Sequence, residues 1–230
     1  DGTDTVKELL EKAESLGLEV ISITDHNNCN AYFEMEKFNV KEIYKGDVLV
    51  GCEFTTSFDN RLIEVLGYGF DYKKVNKYLE KKYTPLNNKK RFKGFYTEII
   101  ERIRKLGLEC DLDIIKKAKK NKFFEIAVYE ELIKHEKNRK ILNEDIWDSY
   151  SDYYRKGITN PKSKIFINKA SYYPSIKEIV NLIHENGGIA FLAHPYQYKF
   201  TDTEEILDRI YNELVLDGVE CFYTTFTEEQ

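Results

Sequence analysis

The sequence predicts an α/β fold interrupted by a helical insertion, and three observations carry that prediction. Short β-branched strands alternate with amphipathic helices at both ends of the chain. Between them, residues 71–165 lose this rhythm and become rich in Lys, Glu, Tyr and Asn. Imidazole and carboxylate side chains at His26, Glu53 and His194 each follow a predicted strand.

The elements follow in order. Val6, Leu9, Leu10, Ala13 and Leu16 fall at helical spacing and predict a helix over residues 4–16, with Thr3 or Asp4 as cap and Gly17 as stop. Leu18–Ile23 is the first strand and runs straight into Thr24-Asp25-His26-Asn27. Asp47–Gly51 is the second, followed at once by Cys52-Glu53, and Leu62–Tyr68 is the third. Inside the insertion, Phe95, Ile99, Ile100, Ile103 and Leu106 mark one helix and residues 123–135 another. Lys164–Ile167 is the one stretch there that reads as a strand, and the charge run at 116–122 reads as a solvated helix face. From Ser175 the α/β rhythm resumes. Ile176, Ile179, Val180 and Ile183 line a helix ended by Gly187-Gly188, and Ile189–Pro195 is a strand carrying His194. A helix over 204–214 and a strand at Gly218–Tyr223 complete the pattern. Such alternation predicts a mainly parallel sheet, open or closed into a barrel.

The totals exclude several classes. At 230 residues, 42% apolar and 33% charged, the chain suits one medium domain bearing an insertion. A net charge of -5 argues against a protein that coats extended duplex nucleic acid. The four cysteines form no CxxC pair and read as reduced thiols of a cytoplasmic protein. No apolar run approaches the roughly 18 residues of a membrane span, and no signal peptide opens the chain.

Asp25, His26, Glu53 and His194 stand at the C-terminal ends of predicted strands. Parallel α/β folds gather those ends on one face, where ligands bind. A mixture of imidazole nitrogen and carboxylate oxygen favours a hard or borderline divalent cation. Taken singly, Thr24-Asp25-His26 reads as a turn, Glu53 as a loop residue and His194 as a satisfied, half-buried histidine. Their combination at strand ends makes the metal site the stronger reading. His135 and His184 lie on predicted helices among charges and read as surface.

These stretches resemble the PHP (polymerase and histidinol phosphatase) superfamily, in particular its stand-alone phosphoesterases. The resemblance runs through Thr24-Asp25-His26, Gly51-Cys52-Glu53, Leu62–Asp71 and Ala193-His194-Pro195, with Asp1-Gly2-Thr3 as the tail of a Ser-Asp-Gly-Thr motif. It implies a distorted (β/α)7 barrel divided as 1–70, helical insertion 71–165 and 166–230. It also implies two or three divalent metals (Mn, Zn, Fe or Mg) that activate water against a phosphate ester. Carried over, Asp1, His26, Glu53 and His194 become metal ligands. Asp25 supports the site by orienting its neighbours, and His194 also helps position the leaving group. Arg91, on the insertion, becomes the phosphate-binding residue, beside Arg102 and Arg104. The substrate implied is a phosphomonoester, a nucleoside bisphosphate or a short oligonucleotide. The aromatic side chains of the insertion, Phe92, Phe95, Tyr96, Phe123 and Phe124, read chiefly as core.

The sequence departs from the family pattern in three places. The family's His-x-His and Asp-x-His motifs fall beyond Asp1 and Gln230, so the expectation is a chain cut at both ends. Glu64 stands where the family often has a histidine, and it reads as a substitute ligand that tilts the site toward Mn or Mg. The same substitution supports the alternative, a degenerate PHP module that binds metal or a partner without turnover.

Overall fold

The computed structural model describes residues 2–113, 124–198, 202–213, 216–224 and 226–227. Asp1, Phe123 and the 116–122 charge run lie outside these. Helix α1 (Val6–Ser15) is capped by Thr5 rather than Thr3 or Asp4. The Thr5 hydroxyl accepts the Glu8 N–H at 3.3 Å and the Glu8 carboxylate accepts the Thr5 N–H at 2.7 Å. Thr5 wins because it alone has a glutamate three residues on, which satisfies two end groups reciprocally. Gly17, at φ 64°, ends the segment as expected.

The strands are shorter and differently paired than alternation implies. β1 (Val20–Ile21) and β2 (Asp47–Val48) form a parallel pair. β3 (Gly51–Phe58) and β4 (Arg61–Tyr68) form an antiparallel hairpin. β5 (Ile189–Leu192) pairs antiparallel with β4, and β6 (Gly218–Val219) pairs parallel with β5. The four-stranded sheet, in the order β3-β4-β5-β6, is therefore mixed rather than mainly parallel. The cause is local: Asp59 and Asn60 take φ of 47° and 60°, the paired left-handed residues that a two-residue hairpin turn requires. Among the described residues the strands form two sheets and no closed barrel.

Two further expectations are corrected. Glu53 is the third residue of β3, not a residue past a strand end, because pairing with β4 carries the polar Thr55-Thr56-Ser57 run into the ladder. Lys164–Ile167 is not a strand; Ile165 and Ile167 are buried as irregular chain in the insertion's core.

Two hydrophobic clusters organise the molecule. In the first, α1, α4 (Tyr72–Lys82) and α8 (Ile176–Glu185) pack Leu10, Leu79, Ile179 and Ile183 against Phe54, Val65 and Leu192 of the sheet. Short helices α2 (Asn30–Met35) and α3 (Val40–Ile43) bridge β1 and β2, and α9 (Thr203–Glu213) precedes β6. The second cluster is built from residues between Phe92 and Tyr173. There α5 (Pro85–Leu106), α6 (Phe124–Leu132) and the chain around α7 (Glu136–Ile141) bury Phe95, Ile99, Ile103, Val128, Leu132 and Tyr153. After Tyr150–Asp152 the chain winds through a π-helical turn, Tyr153–Ile158. No helix among the described residues is long and apolar enough to cross a membrane.

Candidate metal centre

The chain beyond β1 is fastened to β3 residue by residue. Glu53 N–H donates to the Asp25 carbonyl at 3.2 Å and Asn27 N–H to the Glu53 carbonyl at 2.8 Å. Asn27 sits at φ 55°, a conformation that asparagine tolerates better than most side chains. Its amide closes on Thr55 twice, at 2.9 Å each. His26 is thereby paired with Glu53 in a parallel bridge.

Four donors converge as a result. His26 Nε2 lies 3.3 Å from Glu53 Oε2 and 3.7 Å from Glu64 Oε1. His194 Nε2 lies 2.8 Å from Glu53 Oε1 and 3.4 Å from Glu64 Oε2. Donor atoms of His26, Glu53 and Glu64 all fall within 4.8 Å of one another. The His194 side chain is 10% exposed and that of His26 46%, so the site is walled on one side and open on the other.

The charges are mutually supporting. Contact with Glu64 raises the His26 pKa against the opposing effect of burial. Burial would lower His194, but the Glu53 hydrogen bond and the Glu64 charge raise it. Burial would raise Glu64, yet His26, His194 and Arg155 hold it below the usual carboxylate range. Two carboxylates and two imidazoles facing one point match the donor chemistry of a divalent cation. Among the described residues His194 Nδ1 is also buried with no hydrogen-bond partner, a rare state for a ring nitrogen. Its backbone is strained as well, at φ 25°, and its N–H donates to Glu220 Oε2 at 2.8 Å. The residues fit a metal centre.

A cavity of about 280 Å³ opens on these donors and is lined also by Arg155, Gln197, Glu220 and Tyr223. None of these four is singled out by strand-end reasoning. Glu220 and Tyr223 carry a usable signal, since both lie on the predicted strand Gly218–Tyr223, whereas Arg155 comes from a π-helical turn that leaves no sequence pattern. A larger cleft of about 540 Å³ shares His26 and runs beneath the insertion. Arg91 lines it, 4.7 Å from the Tyr83 ring centroid and 5.2 Å from that of Tyr173, and bonds Asn88.

The other sequence-derived residues distribute as follows. Asp25 lines a neighbouring groove with α1, and its carbonyl also accepts the Cys52 thiol at 3.3 Å. Arg102 donates to the Lys164 carbonyl at 3.3 Å beside a separate groove. Phe95 is buried, and Phe92 and Tyr96 pack on Phe124. His135 meets Glu131 at 3.2 Å and His184 meets Asp217 at 2.7 Å, both away from the centre. All four thiols are free.

The PHP domain family model matches residues 1–223, and the chain belongs to that family. Its fold is similar to a protein provisionally named a metal-dependent phosphoesterase from Bifidobacterium adolescentis, with a TM-score of 0.56 at 21% identity over 100% of this chain and 76% of that one. It is also similar to an amidohydrolase from Chromobacterium violaceum whose structure holds sulfate and no metal. There the TM-score is 0.52 at 16% identity, over 95% of this chain and 72% of that one. No curated protein sequence matches significantly.

Proposed function

We propose that this protein hydrolyses a phosphate ester, using divalent metal ions held by His26, Glu53, Glu64 and His194. The observation that carries the proposal is that Glu53 and Glu64 each lie close to both imidazoles, at 2.8–3.7 Å. When bound, two or three ions of the Mn, Zn, Fe or Mg class supply Lewis acidity and a water acidic enough to attack near neutral pH.

The chain's own groups do the rest. Glu53 and Glu64 concentrate negative charge where cations must sit. Arg155, across the same cavity, faces the developing charge on the phosphoryl oxygens. Arg91 holds an anionic part of the substrate in the adjoining cleft. The Tyr83 and Tyr173 rings lie against its guanidinium and hold it on the cleft wall, where its N–H groups are the binding element. Asp25 supports the centre through its carbonyl, which fixes the Glu53 backbone. The cleft suits the remainder of a small phosphorylated metabolite or a nucleotide, and the Chromobacterium relative's bound sulfate is a tetrahedral oxyanion of the same shape as phosphate.

Arg91→Ala is expected to raise KM about 10- to 100-fold with little change in kcat, the signature of lost uniform binding. A kcat loss with unchanged KM would move Arg91 out of the substrate-binding role. The wider proposal is tested by stripping the protein with a chelator, adding back Mn²⁺ and following phosphate release from an aryl phosphate and a nucleoside bisphosphate. Release restored by Mn²⁺ supports the hydrolase. Mn²⁺ binding without release from any substrate supports the non-catalytic module that Glu64, in a histidine's place, also favours. A folded protein that binds none of Mn²⁺, Zn²⁺, Fe²⁺ and Mg²⁺ removes the hydrolase and leaves only a module that binds a partner.

A further inference from the structure

Two buried tyrosine hydroxyls are inserted into the backbone ladders that carry the four donors. The first belongs to Tyr32 of α2. Leu49 N–H donates to the Ile21 carbonyl at 2.8 Å, an ordinary parallel rung. At the next level the Tyr32 hydroxyl stands between the strands. It accepts Gly51 N–H at 2.7 Å and Ile23 N–H at 3.2 Å, and donates to the Ile23 carbonyl at 2.7 Å. Direct pairing resumes one step later, where Glu53 and Asn27 bond across. The hydroxyl therefore spreads the two segments immediately before His26 and Glu53.

The second belongs to Tyr198. Ala193 N–H donates to the Glu64 carbonyl at 3.0 Å. In the opposite direction Glu64 N–H donates to the Tyr198 hydroxyl at 2.7 Å, which passes the bond to the Ala193 carbonyl at 3.0 Å. This insertion falls at Glu64 itself and one residue before His194. Tyr32 and Tyr198 are 5% and 3% exposed. Burial raises both phenolic pKa values, so each hydroxyl keeps the proton it donates.

We infer that Tyr32 and Tyr198 are positioning residues: each wedges one strand pair open by the width of a hydroxyl and so sets the spacing of the metal donors. The inference rests on the metal-centre reading above. A direct rung would draw Ile23 toward Gly51, or Glu64 toward Ala193, and shift donor atoms that must meet an ion within a few tenths of an ångström.

The test compares Tyr32→Phe and Tyr198→Phe with Tyr44→Phe. Tyr44 is fully buried and donates to the Leu18 carbonyl at 2.8 Å, so its loss removes a comparable buried bond away from the centre. Mn²⁺ affinity is measured by titration, beside the melting temperature. The expected result is a Mn²⁺ affinity about 10- to 100-fold weaker in Tyr32→Phe and Tyr198→Phe, as is usual for groups that orient metal ligands. Tyr44→Phe, which loses one buried hydrogen bond, should stay within about twofold of wild type in Mn²⁺ affinity whatever it loses in melting temperature. Equal effects on Mn²⁺ binding in all three variants would overturn the inference. If the wild type binds no Mn²⁺, the metal-centre reading fails and crystal structures of the metal-free variants decide. Closure of the Glu64–Ala193 or Ile23–Gly51 gap supports the wedge, and unchanged strand spacing overturns it. Each tyrosine is tested separately, so one variant that does not fold leaves the other to decide.

Discussion

Glu53→Gln is expected to lower metal-dependent hydrolysis by on the order of 1000-fold in kcat/KM, equivalent to about 4 kcal/mol. Glu53 makes the closer contacts with both imidazoles, at 3.3 Å from His26 and 2.8 Å from His194 against 3.7 and 3.4 Å for Glu64. Glutamine keeps the shape but replaces one oxygen donor with an NH₂ group that cannot ligate, and removes the charge that draws a cation inward. Stability should fall as well. In the metal-free protein Glu53 pairs with both imidazoles and raises the His194 pKa, so Glu53→Gln should melt below wild type. Added Mn²⁺ at about 100 times its dissociation constant stabilises a binding-competent protein by about 2.7 kcal/mol. Wild type should show that rise in melting temperature, and Glu53→Gln should lose most of it. A variant that retains more than a tenth of the activity and the full Mn²⁺-dependent rise would remove Glu53 from the donor set.

The residues proposed for the metal centre were more legible in the sequence than the sheet around them. His26, Glu53 and His194 could be found because each sits in a short apolar run with a polar residue at a fixed place, and such patterns survive whatever the strands pair with. The pairing itself was not readable. Alternating strands and helices suggested a parallel sheet, but the β3–β4 hairpin depends on two left-handed residues, Asp59 and Asn60, in a stretch without glycine. Nor does anything in the polar run Thr55-Thr56-Ser57 announce a strand; it becomes one because β4 lies alongside. Glu64 was legible only as a substitution at a family position, since on alternation alone it is one polar residue among apolar neighbours. Arg155, Glu220 and Tyr223 reach the cavity from distant segments and were missed. Their placement is decided by how the insertion and the last strand dock, which is a tertiary fact with no local period. The hydroxyl wedges of Tyr32 and Tyr198 were hidden for the same reason, since a buried tyrosine in sequence is simply an apolar position.

Lys169→Met is expected to destabilise the protein by about 3–5 kcal/mol at neutral pH, the cost of leaving a buried charge without its partner. Lys169 and Glu125 side chains are 7% and 12% exposed, and Nζ lies 3.0 Å from Glu125 Oε1 and 3.1 Å from the Tyr154 hydroxyl. The ammonium also sits 4.7 Å from the ring centroids of both Phe95 and Tyr154. Methionine matches the length of the lysine stem, so the packing loss is small and the electrostatic loss dominates. For a chain of this size the melting temperature should fall by on the order of 10 °C. The sign with pH follows from the lysine. Burial alone would lower its pKa, but Tyr154 and Glu125 outweigh burial and hold it above the ordinary value. The pair's contribution is therefore complete below about pH 10, the unfolded lysine range, and is lost as pH rises through the higher folded value. Between pH 6 and 9 the wild-type minus variant difference should be flat. The double variant Lys169→Met with Glu125→Gln should recover most of the loss, because removing both charges ends the uncompensated burial. Urea midpoints of the four proteins close this cycle. A single-variant cost below about 1 kcal/mol, or a double variant no better than the single, would mean that water reaches Glu125 and that the pair is a surface bridge in energetic terms. Recovery would show instead that the single-variant cost is the uncompensated burial of Glu125, on the wall of the cleft that Arg91 also lines.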